Sequence, residues 1–212
     1  MLKVLITLIF INMLFNNSFI LASSSKSRYK ILKRNNLFFS KIPPQCNENL
    51  LKKNLIKKKF PTKKICLELA RLKSKSISKI KKNRLVVGSD TVIDFNGKLF
   101  NKAKNIRDAK NKITLLSGKK HFIYSGVSVF YNNKEVWNTV QKSSVKIRKL
   151  SEEDIKLYLT KVRKDILSAV GCYQIEIMGP NIIEEIKGDF YNVMGFPLFP
   201  FLSFLKKYKI NN

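Results

Sequence analysis

Asp90 stands in the run Leu85-Val86-Val87-Gly88-Ser89-Asp90-Thr91-Val92-Ile93, where every other signal favours an apolar strand. The chain has only 14 acidic side chains, and most of the others sit in polar surroundings. A carboxylate in such a strand needs a partner or a task, because burying an unpaired charge is costly. Metal ligation and proton abstraction are the two tasks that suit it. The competing reading is a carboxylate that caps backbone amides at a strand end. Gly88 and Ser89, just before it, suit the close approach of another group.

The second chemical feature is Ile20-Leu21-Ala22-Ser23-Ser24-Ser25-Lys26-Ser27-Arg28. A short apolar run stops at three serines, and a helical pattern follows directly. The first N–H groups of a helix have no internal partner, and the helix dipole favours negative charge there. Hydroxyls at Ser23 and Ser25, with Arg28 one turn in, are donors suited to phosphate oxygens. Serine also caps helices that bind nothing, so a plain N-cap is the competing reading.

These residues need an α/β framework to hold them. The spacing predicts a strand over Phe19–Ala22, a helix over Ser27–Asn35 and a strand over Leu37–Ile42 ended by Pro43-Pro44. Gln45–Phe60 reads as a polar, lysine-rich loop holding Glu48. Pro61 suits a first helical position, and Ile65, Leu69, Leu72 and Ile80 extend that helix to about residue 81, with Ala70 and Lys73 on it. Arg84–Ile93 is a strand, and Asn96-Gly97 turns it into Leu99-Phe100. Ile106 to Leu116 form a helix stopped at Ser117-Gly118. His121–Tyr131 and Glu135–Lys149 read as a long hairpin. Ser151-Glu152-Glu153-Asp154 has the form of a capping box. Short strands are expected over Gly171–Ile177 and Ile182–Ile186, and a closing helix over Pro197–Tyr208. No internal repeat and no long linker interrupts this order.

Composition sets outer limits. The 212 residues are 44% hydrophobic, enough for one good core or two lobes. The formal net charge is +28, from 42 Lys+Arg against 14 Asp+Glu. Lys, Asn, Ile and Phe are abundant throughout, so compositional bias accounts for much of the excess. The field nevertheless attracts anions. Cys46, Cys66 and Cys172 are far apart, form no CxxC and fit a reducing, cytoplasmic compartment. His121 is the only histidine, which excludes a multi-His zinc site, and its place at the head of an alternating strand makes it structural. Residues 1–17 resemble the n- and h-regions of a signal peptide but are too short to span a bilayer. Cleavage near Ala22 would cut the serine turn, so they are expected to be a dispensable extension, with Met13 an alternative start and 18–210 the folded domain.

The ordered set is more specific than any member of it. Ser23-Ser24-Ser25-x-x-Arg28, Ala70-x-x-Lys73, Gly88-Ser89-Asp90-Thr91, Lys102, Gly171-Cys172-Tyr173 and Gly188-Asp189-Phe190-Tyr191-Asn192-Val193-Met194-Gly195-Phe196-Pro197-Leu198 follow one another at spacings that resemble the Maf family. These septum-formation-inhibitor-like proteins are nucleoside triphosphate pyrophosphatases, and the resemblance runs from Phe19 to Tyr208. It implies an elongated mixed sheet with flanking helices, with two lobes around a cleft, similar to inosine triphosphatases. It also implies hydrolysis of an NTP to NMP and diphosphate with a divalent cation, Mg²⁺ or Mn²⁺. Asp90 matches the catalytic aspartate, with Lys73 and Lys102 offsetting phosphate charge. Ser23, Ser25 and Arg28 would bind substrate, and Glu48 would join Asp90 at the metal.

The implied role is removal of non-canonical or particular NTPs, keeping modified nucleotides out of nucleic acids, with a link to cell-division arrest. No membrane and no nucleic acid is required, and a homodimer is compatible with the resemblance. The alternative is a non-catalytic, basic nucleic-acid-binding or division-regulating protein; retention of Asp90, Lys73, Lys102 and Arg28 argues for catalysis. The sequence departs from the family at Lys26 (often Pro), Ser27 (often Arg), Asn47 (commonly an acid) and Ala103 (usually Pro). Glu176 stands where dTTP/UTP-preferring members have Gln, as in the 7-methyl-GTP branch, whereas Thr91 resembles the dTTP/UTP branch. The preferred base is left open.

Overall fold

Strand β1 (Phe19–Ala22) is fully buried and pairs in parallel with β2 (Phe39–Ile42) on one side and β3 (Leu85–Phe95) on the other. The computed structural model describes residues 18–208, so the expected extension at 1–17 lies outside the described residues. The remaining strands are β4 (Lys98–Phe100), β5 (Lys120–Tyr131), β6 (Lys134–Ile147) and β7 (Ile183–Lys187). Among the described residues they form one sheet in the order β2-β1-β3-β5-β6-β7, with β4 antiparallel on β3. β6 and β7 are also antiparallel, so the sheet is mixed and the class is α/β, as expected.

The helices are α1 (Lys26–Arg34), α2 (Glu48–Lys57), α3 (Thr62–Ser78), α4 (Ile106–Leu116), α5 (Glu152–Val162), the short α6 (Gly179–Ile182) and α7 (Phe190–Val193), and α8 (Leu198–Lys207). Local chemistry accounts for their ends. Asn105 accepts from Asp108 N at the start of α4, and Gly118 leaves its last turn at φ +69. Ser151 and Asp154 cap α5 reciprocally, at 2.9 and 3.1 Å. Asn96 and Gly97 both take positive φ, the two-residue turn that suits the twist of a hairpin.

Three expectations need correction. Residues 45–60 are not a loop: Asn47 accepts a hydrogen bond from Leu50 N and starts α2 at Glu48. Only Leu55 of α2 is buried, while Leu50 and Ile56 are exposed, so its apolar residues do not mark a single buried face. Pro61 is the cap of α3 rather than its first residue, and the helix ends at Ser78. Gly171–Ile177 is not a strand. Cys172 has φ +56, and the N–H groups of Ile177 and Gly179 both bond to Gln174 O, so the backbone turns on itself.

The chain forms two compact units. The first contains the described residues up to Asp90, Gly126–Val140 and those from Phe196 onward; the second contains Thr91–Ser125 and Gln141–Gly195. In unit 1, Ile20, Ala22, Ile77 and Val86 form one apolar cluster. Phe19, Phe196, Phe201 and Trp137 build an aromatic one with α8. Unit 2 has its own core, including Ile93, Ile113, Ile123, Val145, Ile155 and Tyr173.

Within unit 2, His121 is fully buried and its Nε2 lies 2.6 Å from the Tyr173 hydroxyl. Burial pushes its pKa down to about 4. The unfolded chain therefore takes up the proton first as pH falls. The contribution to stability is full above pH 6.5 and shrinks by about 1.4 kcal/mol per unit towards pH 4. Denaturant midpoints between pH 7 and 5 should fall in wild type and fall less in His121→Gln. Parallel slopes in the two proteins would contradict a buried neutral imidazole.

Candidate active site

The serine turn is built as a cap and a clamp at once. Ser25 accepts from Arg28 N at 3.3 Å and closes the start of α1. Ser23 Oγ accepts from Ser25 N at 3.2 Å and from Arg28 Nη1 at 3.3 Å, so the guanidinium folds back over the turn. Ser23 and Arg28 are buried, while Ser24 is exposed. Burial lowers the Arg28 guanidinium below its ordinary value, and the charges of Asp90 and Glu48 pull it back up. No acid occupies the first turn of α1, so its amide end keeps its positive character.

Asp90 is placed by the approach of β3 to α3. Gly88 and Asp90 are two apart on β3 and so share one face. A Cβ at Gly88 would lie 2.5 Å from Ser74 N and 2.9 Å from Ser74 Cβ, and would strike Ala70 O as well. That contact is what the glycine permits. Ala70, Lys73 and Ser74 lie on one face of α3, and at this distance Lys73 Nζ reaches Asp90 Oδ1 at 2.6 Å. Ser74 Oγ meets Ser128 Oγ at 3.3 Å, Ser128 bonds to Glu135, and Arg71 grips Glu135 with two nitrogens, which fixes α3 on the sheet.

Lys73 has a second anion. Its Nζ lies 2.9 Å from Glu48 Oε2, so one nearly buried ammonium bridges two carboxylates. The expected acid is thus in place, but it comes from the first turn of a helix. α2 also brings a residue that the sequence reading did not single out. Lys52, one turn after Glu48, is half-buried, and burial lowers its pKa while Asp90 and Glu48 counter that. Cys46 sits close by: burial, and then the charge of Glu48, pushes its thiol up.

The structure therefore brings together Ser23, Ser25, Arg28, Glu48, Lys73 and Asp90 in unit 1. Lys102 and Glu176 belong to unit 2. Lys102 is exposed, and Glu176 is half-buried in the turn that follows Tyr173. In the same unit Asn192 is fully buried. Its side chain accepts from Ser125 N and donates to Ile123 O and Ser143 Oγ, holding the Gly188–Gly195 segment. Thr91 Oγ1 donates to Gly195 O at 3.2 Å.

No group of three or more His, Cys, Asp or Glu side chains suited to a metal occurs among the described residues. Two carboxylates within reach of one ammonium are nevertheless a hard-oxygen pair. Such a pair fits Mg²⁺ or Mn²⁺ when substrate phosphates and waters supply the other ligands.

Comparison with known proteins places the chain as a whole. The family profile described as Maf-like protein matches residues 18–208. A 7-methyl-GTP pyrophosphatase from Bartonella henselae is 38% identical over 191 residues, covering 90% of this chain and 96% of its own. A nucleoside triphosphate pyrophosphatase from Pelagibacter ubique is 34% identical, covering 88% and 96%. Another from Caulobacter vibrioides is 30% identical, covering 88% and 93%. With a match across nearly all the described residues and relatives similar over almost their whole length, this chain belongs to the Maf family.

Proposed function

We propose that this chain hydrolyses nucleoside triphosphates to the monophosphate and diphosphate, with Asp90 as proton acceptor. The observation that carries the reading is the Lys73 ammonium bridging Glu48 and Asp90, in the unit that also holds the Arg28 turn. The attacking water gives its proton to Asp90 as its oxygen bonds to the α-phosphorus. The bridging oxygen leaves with diphosphate. Arg28, the α1 amide end, Lys73 and Lys52 stabilise the charge that moves onto the phosphate oxygens, and Lys102 is assigned the same role in unit 2. Glu48 and Asp90 would hold a divalent cation, which supplies charge neutralisation on the triphosphate. The three free thiols suit a cytoplasmic setting. Diphosphate release from a panel of NTPs, with Mg²⁺, Mn²⁺ or EDTA, tests the activity. Release from no NTP under any metal would overturn it.

Glu176 is proposed to select the base. A carboxylate only accepts hydrogen bonds, whereas Gln offers a donor and an acceptor. Guanine presents adjacent N–H donors, and the name of the Bartonella henselae relative is in keeping with a guanine-type base. Glu176→Gln should shift preference from GTP and 7-methyl-GTP towards UTP and dTTP by about 1–3 kcal/mol in relative kcat/KM. An unchanged ranking would remove Glu176 from base selection.

Lys52→Met keeps the apolar stem and removes the charge. It should lower kcat/KM by about tenfold or more, as the loss of one cation facing phosphates does. Steady-state kinetics equal to wild type would place Lys52 outside the substrate site.

A further inference from the structure

One face of β5 in unit 2 interleaves lysines with half-exposed aromatic rings. Lys120, Phe122 and Tyr124 alternate along the strand and so share a face, whereas His121, Ile123 and Ser125 on the other face are buried. Both rings of the first set are half-exposed. Lys142 on β6 is exposed and places its Nζ 3.9 Å from the Phe122 ring centroid and 5.5 Å from that of Tyr124. Lys120 lies 6.0 Å from the Phe122 centroid. Lys146, further along β6, is already matched by Glu184 at 2.7 Å. Lys120 and Lys142 form no ion pair among the described residues; their ammonium groups rest on rings.

We propose that this Lys120–Phe122–Tyr124–Lys142 face binds single-stranded nucleic acid. Every base has a π-face, so aromatic side chains on an open sheet stack bases with little regard for sequence. Lysine heads beside those rings are placed to move onto phosphates when a base takes the ring face. Phe122 and Tyr124 are two residues apart, about 6.7 Å along a strand, which seats two splayed bases of one strand rather than a single free nucleotide. The formal net charge of +28 makes a polyanion the complementary partner. A duplex hides its base faces and gives the rings nothing to stack on. The short basic and aromatic alternation was present in the sequence, but only the half-exposure of both rings distinguishes it from a core strand. The proposal stands apart from the pyrophosphatase reading and rests on none of its residues.

Fluorescence anisotropy of labelled oligo(dT) 12-mer, at 50 and 200 mM salt, tests it on the full chain. Wild type should bind saturably, and more tightly than it binds a duplex of equal length. The Phe122→Leu/Tyr124→Leu variant should bind at least about tenfold more weakly with an unchanged salt slope, because stacking is lost and charge is kept. Lys142→Gln should reduce the salt slope by about one. Photocrosslinking of wild type to an oligomer containing 5-iododeoxyuridine needs no variant, and should label Phe122 or Tyr124. Equal affinity for duplex, equal affinity of the leucine variant, or crosslinks only elsewhere would each overturn the proposal. Displacement of the oligomer by a saturating NTP in EDTA would also overturn it, since the rings would then serve the nucleotide site.

Discussion

Asp90→Asn should lower kcat for diphosphate release by about 10²–10⁴ and leave the protein folded. The rate loss follows from the role: Asn has the shape of Asp but neither its charge nor its basicity, and removing a general base has this cost. The fall should be at the upper end if cation binding is lost as well. Removing one partner of a buried ion pair usually strands the other charge, at a cost of about 3–5 kcal/mol. Here Lys73 keeps Glu48 at 2.9 Å, so its ammonium stays paired. The Asn amide oxygen can also still accept from it. The melting temperature should therefore change little while turnover collapses. A folded variant with near-normal kcat would remove Asp90 from catalysis, and one that only unfolds would make its role structural.

Gly88→Ala should be among the most destabilising single-methyl additions in the chain. The new Cβ would meet backbone on α3, not the end of a flexible side chain: Ala70 O and Ser74 N both lie inside contact distance. β3 and α3 would have to separate. Overpacking of a well-filled interior costs about 1–3 kcal/mol, and more where backbone must move. The same separation would pull Lys73 from Asp90, so activity should fall together with the denaturation midpoint. Gly97→Ala is the control. Its Cβ would meet nothing within 4 Å, so only its φ of +77 opposes the change. The measurement is urea denaturation of the two variants beside wild type. Equal midpoints for Gly88→Ala and wild type would contradict the close approach.

Much of this was legible in the sequence because local signals and burial agree. The serine turn, the Asn96-Gly97 hairpin, the capping box at Ser151 and the β3 strand follow from residues whose conformations have few alternatives. Asp90 was legible because a carboxylate in an apolar run demands explanation. α2 was not legible, since its one buried residue, Leu55, leaves no apolar stripe for the helical period to mark. Gly171–Ile177 misled in the opposite sense. Cys172, Tyr173 and Ile175 are all buried, but a left-handed residue at Cys172 bends the chain before a strand can form. Lys73 was marked by the family spacing, yet its bridge between Glu48 and Asp90 depends on α2 being a helix. Lys52, on the same helix, was missed for the same reason: one lysine among many carries no sequence signal of its own.

Product identity tests the central claim most directly. Purified wild-type protein should be incubated with GTP and Mg²⁺, and with 7-methyl-GTP and Mg²⁺, and the products resolved by ³¹P NMR. Cleavage between the α- and β-phosphates predicts nucleoside monophosphate and diphosphate in equal amounts from the first turnover onward, with no nucleoside diphosphate formed. Accumulation of nucleoside diphosphate with inorganic phosphate would contradict the account.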